Sequence, residues 1–122
     1  MSNSGWIGVD LDGTLAAYDG WKGLTHIGKP VPAMVERIKL WLAEGWEVRI
    51  FTARVSDGQD ALEVRLFRDT LKRWLLSVGL PPLEVTNVKD FHMVELWDDR
   101  AVTVEPNTGR CLVPTRNRQG ID

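Results

Sequence analysis

The sequence predicts an α/β sandwich built on a mainly parallel sheet, and three observations carry that prediction. Short apolar runs of strand type alternate with longer stretches of helical period. Glycine and proline punctuate the junctions between them, and polar clusters follow the strand-like runs rather than interrupting them. With 122 residues, 43% of them hydrophobic, the chain suits a single domain over 1–122 with one packed core and leaves no room for a second.

The first strand is read at Trp6 to Val9, a nearly continuous apolar run of the kind covered on both faces. Four glycines and no sustained period follow, so about 13–31 reads as a loop or flap. Pro30 and Pro32 then introduce a helix from Pro32 to Glu44, with Val35, Ile38, Trp41 and Leu42 on one face and Gly45 as its stop. The second strand, "WEVRIFT", alternates Trp46, Val48 and Ile50 with Glu47 and Arg49. The longest helix is placed from Gln59 to Val78, with Ser56 or Asp57 as N-cap and Leu71, Trp74, Leu75 and Val78 on its apolar face. Gly79, Pro81 and Pro82 end it. A strand at Val85 to Val88, a helical turn through Phe91 to Val94 and a strand at Glu95 to Trp97 follow. Ala101 to Glu105 and Arg110 to Val113, joined by "PNTG", read as a terminal strand or a small hairpin, and 114–122 as a polar tail. Strands alternating with helices imply right-handed crossovers, hence a Rossmann-like three-layer arrangement with helices on both faces.

Composition narrows the function classes. Fifteen basic and seventeen acidic residues give a formal charge of −2, with neither sign gathered into a block. That argues against an obligatory nucleic-acid partner. No apolar run approaches the roughly 20 residues that span a bilayer, so no membrane is expected. A single cysteine, Cys111, and an N-terminus without a secretory pattern predict a reducing, cytoplasmic setting.

The chemistry is concentrated in four clusters at predicted strand ends: "DLDG", "FTAR", "NVKD" and "WDDR". A parallel sheet brings strand ends to one edge, the place where such folds bind ligands. Asp10, Asp12, Asp98 and Asp99 gathered there without a counter-ion would resist joint ionisation, and a hard cation relieves that. An all-oxygen donor set favours Mg²⁺ over zinc. Lys89 and the Thr52 hydroxyl then supply a positive charge and a hydrogen bond for an anion beside the metal, and phosphate fits that description best.

"DLDGT" at Asp10 to Thr14, Thr52 within "FTAR", Lys89 and the pair Asp98 and Asp99, in that order, resemble the four motifs of the haloacid dehalogenase (HAD) superfamily of phosphotransferases. The resemblance implies a HAD-like fold in which Asp10 attacks phosphorus to form an aspartyl-phosphate and Asp12 serves as general acid, then base. It implies Mg²⁺ held by the Asp10 side chain, the Asp12 backbone carbonyl and Asp98, with Asp99 acting through water or Lys89. Thr52 and Lys89 would hold the phosphoryl oxygens, with Ala53 and Arg54 of the same segment beside them and Gly13 and Thr14 in support. No inserted cap domain can be placed, which resembles the capless branch, whose open site accepts large substrates or is covered by a second copy of the chain. "DDR" is similar to small nucleotidases and to the phosphatase half of polynucleotide kinases, and suggests a nucleotide or nucleic-acid end among phosphorylated substrates.

Elementary chemistry is consistent with these roles. A carboxylate becomes a useful nucleophile when a metal and a lysine neutralise the phosphoryl group it approaches. Asp12 needs a proton at neutral pH to assist departure of the leaving group, so its surroundings are expected to favour the protonated acid. Gly13 permits a sharp exit from the strand. Bland alternatives stand beside these readings. Arg54 and Arg100 read equally as partners of a carboxylate, Trp21 as a ring stacked on substrate or packed over the core, and Cys111 as structural. His26 and His92 lack ligand spacing for zinc. Two other function classes remain: a phosphorylatable receiver-like signalling module, against which the motif order argues, and a catalytically silent binding protein that keeps the fold.

Overall fold

The computed structural model describes residues 4–113; the polar tail expected over 114–122 lies outside them. Strands β1 (Trp6–Asp10), β2 (Glu47–Phe51), β3 (Glu84–Thr86) and β4 (Met93–Trp97) form one sheet in the order β3-β2-β1-β4, and every pairing is parallel. Helix α1 (Pro32–Ala43) joins β1 to β2, and α2 (Ala61–Ser77) joins β2 to β3. This is the Rossmann-like α/β sandwich that the sequence predicts. Among the described residues no helix is long and apolar enough to cross a membrane.

Both helical crossovers move the same way along the sheet, and right-handed connections therefore put both helices on one face. The burial pattern agrees. Met34, Val35 and Ile38 of α1 and Phe67, Leu71 and Leu75 of α2 share a single apolar cluster with Ile7, Val9, Val48 and Ile50. The return from β3 to β4 crosses the opposite face, where Trp6 and Arg49 project. That layer is the segment 87–92, so the expectation of helices on both faces is corrected on this side: so short a connection has no room for one. Asp90 fastens it: its carboxylate accepts from Trp6 Nε1 at 2.8 Å, and the Trp6 amide donates to the His92 carbonyl at 3.0 Å. Gly8 leaves space for this packing, since a Cβ there would lie 3.1 Å from the Trp6 ring and 3.2 Å from the Leu96 side chain.

The helix termini show which local signals prevail. Pro32 opens α1, and Gly45 lies just beyond its end with φ +90°, as expected. The N-cap of α2 is Asp60, which accepts from the Glu63 amide at 3.0 Å, not Ser56 or Asp57. Those two lie too early because Ala53–Val55 forms its own 3₁₀ turn, leaving the D-x-x-E pair at 60 and 63 to start the helix. The helical turn expected through Phe91 to Val94 is also corrected. Asp90 accepts from the His92 amide at 2.9 Å in an Asx turn, and β4 already begins at Met93. Near the described C-terminus, Val104 and Cys111 form an antiparallel bridge, so the hairpin is the form adopted.

The flap is stitched at its base. Ala17 N donates to Lys29 O at 2.7 Å and Val31 N to Leu15 O at 2.8 Å, while Leu15, Ala16 and Leu24 are buried. Gly28 lies so close to the Ala17 carbonyl that no Cβ would fit. The Trp74 indole of α2 donates to Gly28 O at 3.1 Å, tying the flap to the helical layer.

Candidate active site

Parallel pairing in register puts Asp10, Phe51 and Thr86 side by side, with Trp97 opposite Val9 on the other flank of β1. The residues that follow, Leu11 to Thr14, Thr52 to Arg54 and Asp98 to Arg100, therefore emerge at one edge of the sheet. Asp10, Asp12, Thr52, Ala53, Arg54, Asp98, Asp99 and Arg100 line a single hollow of about 400 Å³ there. Lys89 does not. It sits exposed in the 87–92 crossover, three residues past the end of β3.

The turn after β1 is tight because three amides, those of Thr14, Leu15 and Ala16, all point at the Leu11 carbonyl. Gly13 makes it possible, with φ +89° and with the Asp99 carboxylate occupying the space a Cβ would need. Thr14 binds the two acidic segments together: its hydroxyl donates to Asp10 at 3.3 Å and accepts from the Asp99 amide at 3.1 Å. Arg100 donates its amide to the Asp98 carboxylate at 2.7 Å.

Asp10, Asp98 and Asp99 each offer a carboxylate oxygen, and these lie within 4.8 Å of one another. Burial pushes the Asp10 carboxyl up to about 7, reinforced by the Asp98 charge and by the hydrogen bond and charge of Asp99, with only the Thr14 hydroxyl opposing. A donor set made solely of hard oxygens, crowded enough to retain a proton, suits a hard divalent cation. Asp10 and Asp98 could hold such an ion, with Asp99 beside it.

Asp12 faces differently. Arg54 Nε and Nη2 donate to its two oxygens at 2.9 and 2.8 Å, a two-pronged ion pair that uses Asp12 as a charged acceptor. Both Asp12 carboxylate oxygens are thus taken up by Arg54. Arg54 is itself buried, and Nη1 reaches the flap carbonyls of Gly23 and Leu24 at 3.2 and 2.6 Å. The guanidinium lies between the Trp21 ring, 5.0 Å away, and the Phe67 ring, 5.4 Å away. Of the two roles open to Arg54, the carboxylate pair is the one occupied, and Trp21 covers that pair while remaining 59% exposed. Thr52 is buried and its hydroxyl accepts from the Arg54 amide at 3.1 Å, which leaves the O–H proton as a donor.

Tyr18, Gln59 and Phe51 also line this hollow. No sequence signal marks Tyr18 or Gln59, because their place depends on how the flap and the segment before α2 fold over the edge. The sequence matches no protein-family model and no curated protein. A solved structure described as a conserved protein from Bacteroides thetaiotaomicron is similar over 82% of this chain and 79% of that one, at 23% identity and a TM-score of 0.58. That likeness concerns the fold.

Proposed function

We propose that the chain is a Mg²⁺-dependent phosphohydrolase of the haloacid dehalogenase type that cleaves phosphate monoesters through an aspartyl-phosphate. The observation that carries this reading is the convergence of Asp10, Asp98 and Asp99 at the carboxyl edge of a parallel sheet, beside Asp12 and the buried Thr52. Asp10 and Asp98 would hold the metal, which when bound supplies positive charge against both the carboxylates and the incoming phosphoryl group. One Asp10 oxygen attacks phosphorus, the ester P–O bond breaks, and the leaving oxygen takes a proton. Water then attacks the aspartyl-phosphate, returning phosphate and the Asp10 carboxylate. Thr52 donates to a phosphoryl oxygen. Asp12 can give and recover the proton only when Arg54 releases it, so substrate entry has to loosen that pair.

The silent binding protein remains the competing reading, favoured by the hold of Arg54 on Asp12 and by Lys89 standing outside the hollow. One experiment separates them: phosphate release from sugar phosphates, nucleotides and phosphorylated oligonucleotides, with and without Mg²⁺. The expected result is Mg²⁺-dependent release on at least one class. No release from any of them, or release undiminished by exhaustive chelation, overturns the proposal.

A further inference from the structure

A second and larger hollow, about 610 Å³, lies within the ring of the flap and is floored by α2. It shares Asp12, Tyr18 and Arg54 with the acidic hollow, so the two spaces meet at the Asp12–Arg54 pair. Their chemistry differs. The acidic hollow holds three clustered carboxylates. Both carboxylates lining the flap hollow are already matched, Asp12 by Arg54 and Asp19 by Lys22 at 2.9 Å. Lys29 also lines it and has no carboxylate partner among the described residues. Tyr18, Ile27, Pro30 and Trp74 give the remaining wall an apolar and aromatic character. A space of this size and lining suits an organic body with a flat or apolar face and one anionic group.

We infer that the flap hollow is the leaving-group subsite of the proposed phosphatase and takes a ring-bearing alcohol that carries a second anion, which Lys29 neutralises. This rests on the phosphatase reading, because only then does a phosphoryl group at Asp10 place the rest of its ester beyond the Asp12–Arg54 wall. The second charge is what selects the substrate: a simple ester leaves Lys29 unmatched, whereas a bisphosphate meets it.

The test compares adenosine 3′,5′-bisphosphate with adenosine 5′-phosphate, adenosine 3′-phosphate and phenyl phosphate in Mg²⁺, for the wild type and Lys29→Ala. The wild type should favour the bisphosphate over either monophosphate by about tenfold in kcat/KM, the scale of one charge-assisted hydrogen bond. Lys29→Ala should erase that preference, mostly through KM. Hydrolysis with no bisphosphate preference in the wild type, or an equal preference in Lys29→Ala, overturns the subsite while sparing the phosphatase. If none of the four esters is hydrolysed, calorimetric titration of adenosine 3′,5′-bisphosphate into the wild type and Lys29→Glu still judges the hollow. Binding weakened by Lys29→Glu supports it; equal binding, or none to the wild type, overturns it.

Discussion

Asp90 and Asp10 are aspartates set against the same sheet, one over Trp6 and Arg49 and the other at the carboxyl end of β1, yet their surroundings push them in opposite directions. Asp90 accepts from the Trp6 indole and the His92 amide and lies near Arg49, and these hold its carboxyl below the usual range, the indole hydrogen bond contributing most. Arg49 is the hub of that region: Glu47 at 2.6 Å, Glu84 at 3.2 Å and Asp90 at 3.5 Å surround it, and it lies over the Trp6 ring at 4.5 Å. Asp10, by contrast, is raised to about 7 by burial and by the acids beside it. Donors and a cation serve the first cluster, so it needs nothing more. In the second, a half-buried carboxyl lies against two further carboxylates, a perturbation of the kind that clusters at functional sites.

Asp10→Asn is the largest test of this contrast. If Asp10 is the nucleophile, turnover falls to background, because the amide cannot form the aspartyl-phosphate. The same substitution removes a crowded charge, so the metal-free protein should unfold at a higher temperature than the wild type at neutral pH. Activity and stability thus move in opposite directions at Asp10. At Asp90 they should move otherwise: Asp90→Ala strips the partner from the Trp6 N–H and lowers the midpoint with kcat unchanged. Asp10→Asn with near-native turnover would remove Asp10 from the chemistry.

Arg54→Ala comes next. It strips the cation from Asp12 and leaves the Gly23 and Leu24 carbonyls without their donor. Breaking a buried pair in this way typically costs about 3–5 kcal/mol, and because the Asp12 side chain keeps 23% exposure the lower end is expected. Arg54→Lys restores the charge but not the planar fork, so it should recover only part of the loss. Denaturant midpoints measure both variants. An Arg54→Ala midpoint equal to the wild type would mean that the flap is held by Trp74 and its own stitching alone.

How much of this was legible beforehand varies with the range of the interaction. The sheet edge could be read, because Asp10, Thr52 and Asp98 each follow a short apolar run and parallel register aligns such ends. Gly13 could be read as a turn for the same local reason. The N-cap at Asp60 was misplaced because a 3₁₀ turn over Ala53–Val55 competes for the same residues, and periodicity does not reveal where one ends. Lys89 shows the limit of reading by spacing: it follows β3 closely, yet it is not among the residues that line the hollow. A carboxylate partner for Arg54 could be read, but not the rest of its cluster, since Trp21, Leu24 and Phe67 meet it only through the tertiary placement of the flap and α2.

The pH dependence of stability sharpens the comparison most. The Asp10 carboxyl is raised from 3.8 to about 7 on folding. Between those values the folded chain holds a proton that the unfolded chain has lost, so raising the pH destabilises the fold through that window, and the penalty is complete above it. Asp90 has the opposite sign: its lowered carboxyl contributes stability that is present above 3.8 and is lost only as pH falls further. Thermal midpoints of wild type and Asp10→Asn, taken from pH 4 to 8 without divalent ions, should therefore nearly agree at the acid end and diverge progressively, with the variant higher, until about pH 7. Adding Mg²⁺ at pH 8 should raise the wild-type midpoint more than that of the variant, because the ion binds the folded carboxylates. A difference between the two proteins that stays constant across the pH range would mean that Asp10 carries no excess of negative charge, and the contrast with Asp90 would collapse.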